Sequence, residues 1–257
     1  MSQSPLIDAL CARAGIVCLV GAGGKKSAIY RLAALNPGRV GITSTVHIPP
    51  FPDDLVARRV VERPDQLERS ILAQTKSEDV AFACPSDKRK RLSGVDPDRL
   101  AEIHSRAGFV ATYVKADGAR FRWIKAPSAR EPQIVTAATT VIPVVSARAI
   151  GQPLGDRVAH HPERVAEIAG LALGGPICPE HVGRLLGSEL GALKGIPESS
   201  RIVPLINMVD DGERVELARE AAVIALARSD RFDHVVLASL QRDEALVEVV
   251  TRSCPVP

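Results

Sequence analysis

The sequence predicts a three-layer α/β domain built on a mostly parallel sheet, and three observations carry that prediction. Short apolar runs rich in Val and Ile alternate with stretches of helical spacing along the chain, the order that sets parallel strands between crossover helices. Four of these runs end in small or polar residues: 16–20 in glycines, 40–42 in Thr43-Ser44-Thr45, 109–114 in Asp117-Gly118 and 201–206 in Asn207. Strand C-termini in such sheets gather along one edge, where ligands bind. Finally, 257 residues with 46% hydrophobic content are enough to bury one large core.

Each element follows in order. Leu6, Ile7, Leu10 and Cys11 have helical spacing, so residues 5–14 predict a short leading helix. Residues 16–20 form the first strand and 28–35 the first long helix, which Asn36-Pro37-Gly38 breaks. A second strand covers 39–45, and the segment His47-Ile48-Pro49-Pro50-Phe51-Pro52 is too rich in proline to be helical. A short strand at 56–62, a helix opening on Pro64 and a buried strand at 79–84 come next. Asp87-Lys88-Arg89-Lys90-Arg91 is the densest basic run; it reads as a solvated turn or as a contact for phosphate or RNA. A helix at 97–107 precedes the strand from 109. The strand at 139–146 contains Pro143, which predicts a sheet edge or a strand end. Helices at 162–172 and 179–186 read as a small helical insert, residues 155–195, within a single domain spanning 1–257. A strand from 201, a helix at 213–227 capped by Asp210 or Asp211, and strands at 234–240 and 245–251 complete the chain.

The chemistry concentrates at the strand ends. In Gly21-Ala22-Gly23-Gly24-Lys25-Lys26-Ser27, glycines let the backbone turn its amides inward, and the following helix N-terminus adds positive potential suited to phosphate oxygens. Lys25 would neutralise the outer phosphates and a hydroxyl would hold Mg²⁺. Against the pattern G-x-x-x-x-G-K-[ST], Leu19 stands at the first glycine and Lys26 at the hydroxyl, so the loop is shortened and Ser27 comes one place late. This is a P-loop NTPase-like arrangement; the same residues also suit an ordinary strand-turn-helix junction. Thr43 and Thr45 stand where they reach a nucleotide or its metal, or simply end a strand. Asp117 is placed to hold Mg²⁺, although Asp-Gly is also a turn signal. The polar loop from Lys125 to Pro132 offers Glu131. His160 and His161 precede Pro162-Glu163; neighbours in sequence do not readily share one ion, so one functional histidine, His160, is expected. Asn207-Met208-Val209-Asp210 resembles the base-reading element of GTP-binding proteins, with Met208 in place of its lysine.

The expected site is therefore Lys25, Asp117, Glu131 and His160 for chemistry. Gly21, Ala22, Gly23, Gly24, Lys25, Lys26, Ser27, Thr43, Thr45, Asn207 and Asp210 would hold ATP or GTP, and Ser27 with Asp117 would hold Mg²⁺. The net charge of +3 argues against a dedicated nucleic-acid binder. No apolar run has transmembrane length, and Met1 to Asp8 lacks a leader pattern, so a cytoplasmic location is expected. Cys11, Cys18, Cys84, Cys178 and Cys254 contain no Cys-x-x-Cys pair and read as small apolar residues or free thiols.

These motifs resemble, in the same order over nearly the whole chain, those of the YqeC family. They are the loop 20–27, Thr43-Ser-Thr45, Ala116-Asp-Gly-Ala-Arg120, Lys125-Ala-Pro127 with Glu131-Pro132, His160-His-Pro-Glu163, Leu193-Lys-Gly-Ile-Pro197 and Pro204-Leu-Ile-Asn207. The resemblance implies an accessory protein for a selenium-dependent molybdenum hydroxylase, acting in selenium cofactor biosynthesis as an Mg²⁺-dependent NTPase or nucleotide-dependent transferase. Its implied partners are a nucleotide and the hydroxylase or its selenium-containing cofactor. Lys26, Lys115 and Met208 depart from the family's usual threonine, glutamate and lysine. They leave open a second reading, a non-catalytic chaperone or scaffold with a degenerate phosphate loop. A third, RNA binding through Lys88 to Arg91, is disfavoured by the modest net charge.

Overall fold

The computed structural model describes residues 5–252; residues 1–4, on which part of the leader expectation falls, and 253–257, which include Cys254, lie outside it. Its strands are β1 (Gly15–Gly21), β2 (Val40–Ser44), β3 (Arg58–Val61), β4 (Val80–Ala83), β5 (Ala111–Lys115), β6 (Ile124–Lys125), β7 (Thr140–Ser146), β8 (Ala159–His160), β9 (Arg201–Ile202), β10 (Leu205–Asn207), β11 (His234–Ala238) and β12 (Leu246–Thr251). Among the described residues, ten of these form one sheet in the order β12-β11-β10-β7-β1-β5-β2-β4-β3, with β9 beside β7. All its pairings are parallel except that of β12 with β11. The glycine loop therefore leaves a central strand, with the ends of β5 and β7 on either side.

The helices are α1 (Pro5–Ala9), α2 (Lys25–Leu35), α3 (Pro64–Leu72), α4 (Pro97–Ala107), α5 (Pro162–Ala169), α6 (Pro179–Leu186) and α7 (Gly212–Arg228). Alternation along β1 divides the core between the two faces of the sheet. Val17 and Leu19 pack with Leu6, Ile29 and Leu32 of α1 and α2. Ile16, Cys18 and Val20 face the other way, into one cluster with Leu67, Leu100, Val165, Leu185 and Ala221 from α3 to α7. This is the three-layer arrangement, an α/β fold consistent with P-loop NTPases. The helices expected at 155–195 share that second core: a Cβ on Gly183 of α6 would stand 2.6 Å from Ile224 of α7, so small residues let the two helices approach closely.

The expectation for Pro143 is corrected. Its strand, β7, is interior, paired with β1 on one side and with β9 and β10 on the other. β9 covers Thr140 and Val141 and β10 covers 144–146, so Pro143 falls at the break between them, where a missing N–H costs no ladder bond. Asp211, not Asp210, caps α7 by accepting from the Arg214 amide at 2.9 Å. No helix among the described residues is long and apolar enough to cross a membrane.

At the end of β1, Gly21 has φ +88°, and a Cβ there would meet the Val144 carbonyl oxygen at 2.3 Å. Gly21→Ala combines a left-handed strain and an overpacking contact, each costing about 1–3 kcal/mol. The variant is expected to lose stability in the upper part of that combined range, read as a lowered urea midpoint with an unchanged slope.

Candidate functional site

The loop after β1 is built by backbone that only glycine adopts readily. Gly23 and Gly24 have φ +86° and +133°, and a Cβ on Gly24 would lie 2.2 Å from the Asn207 side chain. The first three amides are spent inside the protein: Gly21 donates to Asp117 Oδ2 at 2.9 Å, Ala22 to the Val144 carbonyl and Gly23 to the Arg122 carbonyl. Gly24 caps α2 without a side-chain bond and no acidic residue stands in the first turn. The amides at the start of α2 thus retain the unpaired donors and positive potential of a helix N-terminus.

Behind the loop lies a buried charge cluster. Lys25, the first residue of α2, turns its ammonium back to the Gly21 carbonyl and to Asp117 Oδ1 at 2.8 Å, an ion pair without a well-aligned hydrogen bond. Lys125 on β6 bridges Asp117 Oδ2 at 3.0 Å and Glu131 Oε1 at 2.9 Å, and donates to the Gly118 carbonyl. Two ammoniums therefore offset two carboxylates. Burial pushes Lys25 below the ordinary lysine value, and Asp117 opposes that shift. Burial pushes Glu131 up, but the Lys125 ammonium and the amides of Ser128 and Gly118 outweigh it and hold the carboxyl down at about 2.

In front of the loop is an open pocket of about 540 Å³. The start of α2 forms one wall; Lys25, Lys26, Lys88, Arg91, Lys115, Arg120 and Arg122 contribute basic side chains, and among the described residues no carboxylate lines it. Antiparallel bridges from Ile48 to Leu92 and from Cys84 to Ser93 pin the 87–91 run against it. Phe121, 76% exposed, stands at the pocket with the Lys26 ammonium 5.2 Å from its ring centre. Lys115, at the end of β5, is buried and donates to the His47 carbonyl at 3.3 Å. Burial, then the charge of Lys25, push its ammonium down to about 7. Burial also lowers His47, as do Lys88, Arg91 and Lys115.

The model of a family described as "YqeC protein" matches residues 17–163, more than half of the chain, from β1 through the loop to the start of α5. The chain belongs to the YqeC family. It is also 26% identical over 239 residues to the "Uncharacterized protein YqeC" of Escherichia coli (strain K12), covering 91% of each chain.

Within this YqeC chain, the residues expected at the site divide into three groups. Gly23, Gly24, Lys25, Lys26 and Ser27 line the basic pocket; Gly21 and Ala22 shape its floor through the bonds described. Lys25, Asp117 and Glu131 meet in the buried cluster. The remaining polar residues have structural bonds: Thr43 Oγ1 donates to the Phe82 carbonyl at 2.7 Å and Thr45 Oγ1 to the Gln133 carbonyl at 2.7 Å. Asn207 donates to the Gly23 carbonyl and accepts from the Leu240 amide, locking the loop to two further strand ends. Asp210 pairs with Arg148 at 2.7 Å and accepts from Ser239. Ser27 and Asp117 are not presented together for Mg²⁺, because Ser27 opens onto the pocket while both oxygens of Asp117 face cations or an amide on its far side.

His160 lies beside Lys125, register partners in the two-stranded sheet of β6 and β8. His161 is the neighbour that the sequence reading weighs and sets aside in favour of His160. An extended chain points successive side chains apart, but His161 has φ +61°, and its ring stacks on that of His160 with centres 4.0 Å apart. Its Nε2 is 3.8 Å from Glu131 Oε2. Burial and the neighbouring cations lower His160 to about 4, so its imidazole is neutral at pH 7. Lys125 was passed over because its partners lie far away in sequence, and Lys88 and Arg91 because a basic run on a turn is usually just solvated.

Lys115 gives a signed pH dependence. Its folded value, about 7, lies below the ordinary 10.5, so between those limits the unfolded chain holds the proton that the folded chain has released, and stability rises with pH. Lys115→Met is expected to be more stable than the wild type at pH 7. That gap narrows toward pH 9.5 by at most about 1.4 kcal/mol per pH unit, measured by urea unfolding of both proteins.

Proposed function

We propose that the basic pocket binds the phosphate groups of a nucleotide, ATP or GTP, and that the protein acts as a nucleotide-binding accessory factor in the maturation of a selenium-dependent molybdenum hydroxylase. The observation that carries the nucleotide reading is the pairing of the uncapped start of α2 with seven basic side chains and, among the described residues, no carboxylate in one pocket. Free backbone donors and a helix dipole suit phosphate oxygens, and Arg and Lys side chains complete their charge-assisted bonds. A volume of about 540 Å³ falls in the range of small-molecule sites. Phe121 offers an exposed ring on which a base can stack. The hydroxylase role rests on the family resemblance and on the order of its motifs.

Asp117 favours the second reading, binding without turnover. A carboxylate committed to Lys25, Lys125 and the Gly21 amide does not fit a resident Mg²⁺ ligand as it stands, so no hydrolytic step is assigned to it. The chain's own groups then bind and orient: the α2 amides and Lys26 take phosphate oxygens, and Arg91, Arg120 and Arg122 neutralise charge at the rim.

Thermal unfolding with ATP, GTP and pyrophosphate tests the reading. At a hundredfold excess over Kd, a ligand that binds the folded chain adds about 2.7 kcal/mol, and the midpoint rises by several degrees. Lys26→Glu with Arg91→Glu is expected to remove that rise while leaving the unliganded midpoint within a few degrees. An absent rise with all three ligands, or one unchanged in the double variant, would refute phosphate binding here. Lys25→Ala is a poorer probe, since it strips a buried carboxylate of a partner and costs about 3–5 kcal/mol by itself.

A further inference from the structure

Glu131, His160 and His161 form a group that the phosphate pocket does not use. One donor atom from each lies within 4.8 Å of the other two, and among the described residues they are the one such group of three. All three side chains are half-buried, so solvent reaches them. A divalent ion about 2.1 Å from each ligand sets donors about 3.0–3.4 Å apart at octahedral or tetrahedral angles; the 3.8 Å between His161 Nε2 and Glu131 Oε2 needs only a small closure to reach that spacing.

Three features of the backbone and the surroundings point the same way. His161 holds a left-handed conformation at the start of α5 and caps that helix with no side-chain bond. A non-glycine residue there is strained by about 1–3 kcal/mol, and the geometry gained is two adjacent imidazoles on one side of the chain. Neither ring makes a hydrogen bond to another group among the described residues; they stack on each other instead. Glu131, by contrast, is firmly oriented: Oε1 takes the Lys125 ammonium and the Gly118 amide, while Oε2 accepts from Ser128 at 3.1 and 3.3 Å and faces His161. Second-layer bonds of this kind fix ligating carboxylates. Lys125 adds a positive charge nearby, which Glu131 Oε1 and Asp117 share, while Glu131 Oε2 makes no ammonium contact among the described residues and faces His161.

We propose that Glu131, His160 and His161 bind one divalent first-row transition-metal ion, with two imidazoles and a carboxylate on one side and the remaining positions open to solvent. Two imidazoles and a carboxylate suit Zn²⁺, Co²⁺ or Fe²⁺ better than Mg²⁺, and three protein ligands with an open position are the pattern of a reactive rather than a closed structural site. The site is independent of the phosphate reading, since none of its ligands lines that pocket.

The test uses tag-free, chelator-stripped full chain, titrated with Co²⁺ by visible absorption and with Zn²⁺ by calorimetry. One ion per chain is expected, with affinity weakened at least tenfold in His160→Ala and in His161→Gly, and unchanged in His181→Ala, a histidine bonded elsewhere to the Cys178 amide. His161→Gly separates ligation from folding. Glycine relieves the positive φ, so the metal-free variant should unfold at or above the wild-type temperature while losing the ion. Binding below one ion per chain, or affinity unchanged in His161→Gly, would overturn the site.

Discussion

Asp117 is the residue on which the candidate site depends. It is 2% exposed, follows β5, and joins the Gly21 amide at the end of β1, Lys25 at the start of α2 and Lys125 on β6. A buried charge is stable only when paired and bonded, and here one carboxylate meets two ammoniums and an amide. Removing any member leaves the others short of a partner, and breaking such a pair costs about 3–5 kcal/mol. The same bonds shape the pocket: they keep Asp117 off its wall, tie the Lys25 ammonium back to that carboxylate and leave the start of α2 facing the opening.

The layers were legible because the sequence obeys one rule over most of its length. Apolar runs such as 16–20 and 234–240 read as strands, and Pro64 and Pro97 open helices where they were expected. What failed depended on neighbours. Pro143 signals a sheet edge only if its N–H side has a continuous partner, and the break between β9 and β10 removes that condition. The two-residue strands β6 and β8 are too short to leave a periodic signal, yet they place Lys125 next to His160.

The site was half legible for the same reason. Gly21, Gly23 and Gly24 announced a turn that needs positive φ, and Lys25 and Asp117 were chosen as chemical residues. Their mutual pairing was not readable, because 96 positions separate the Gly21 amide from its acceptor. The hydroxyls of Thr43 and Thr45 looked like ligand contacts but satisfy carbonyls of Phe82 and Gln133. His161 was discounted on the rule that successive side chains diverge, a rule its left-handed backbone breaks.

The segregation of charge has a kinetic side. Around the loop, carboxylates are consumed in the buried cluster, while the pocket rim keeps its cations. A chain with a formal net charge of only +3 thus presents a concentrated positive field over one mouth. Such a field draws anions in faster than unaided diffusion, and dissolved salt weakens it within about 10 Å at 0.1 M. A phosphate ligand of the kind proposed would arrive quickly in dilute salt and more slowly as ionic strength rises, a property of arrival rather than of grip.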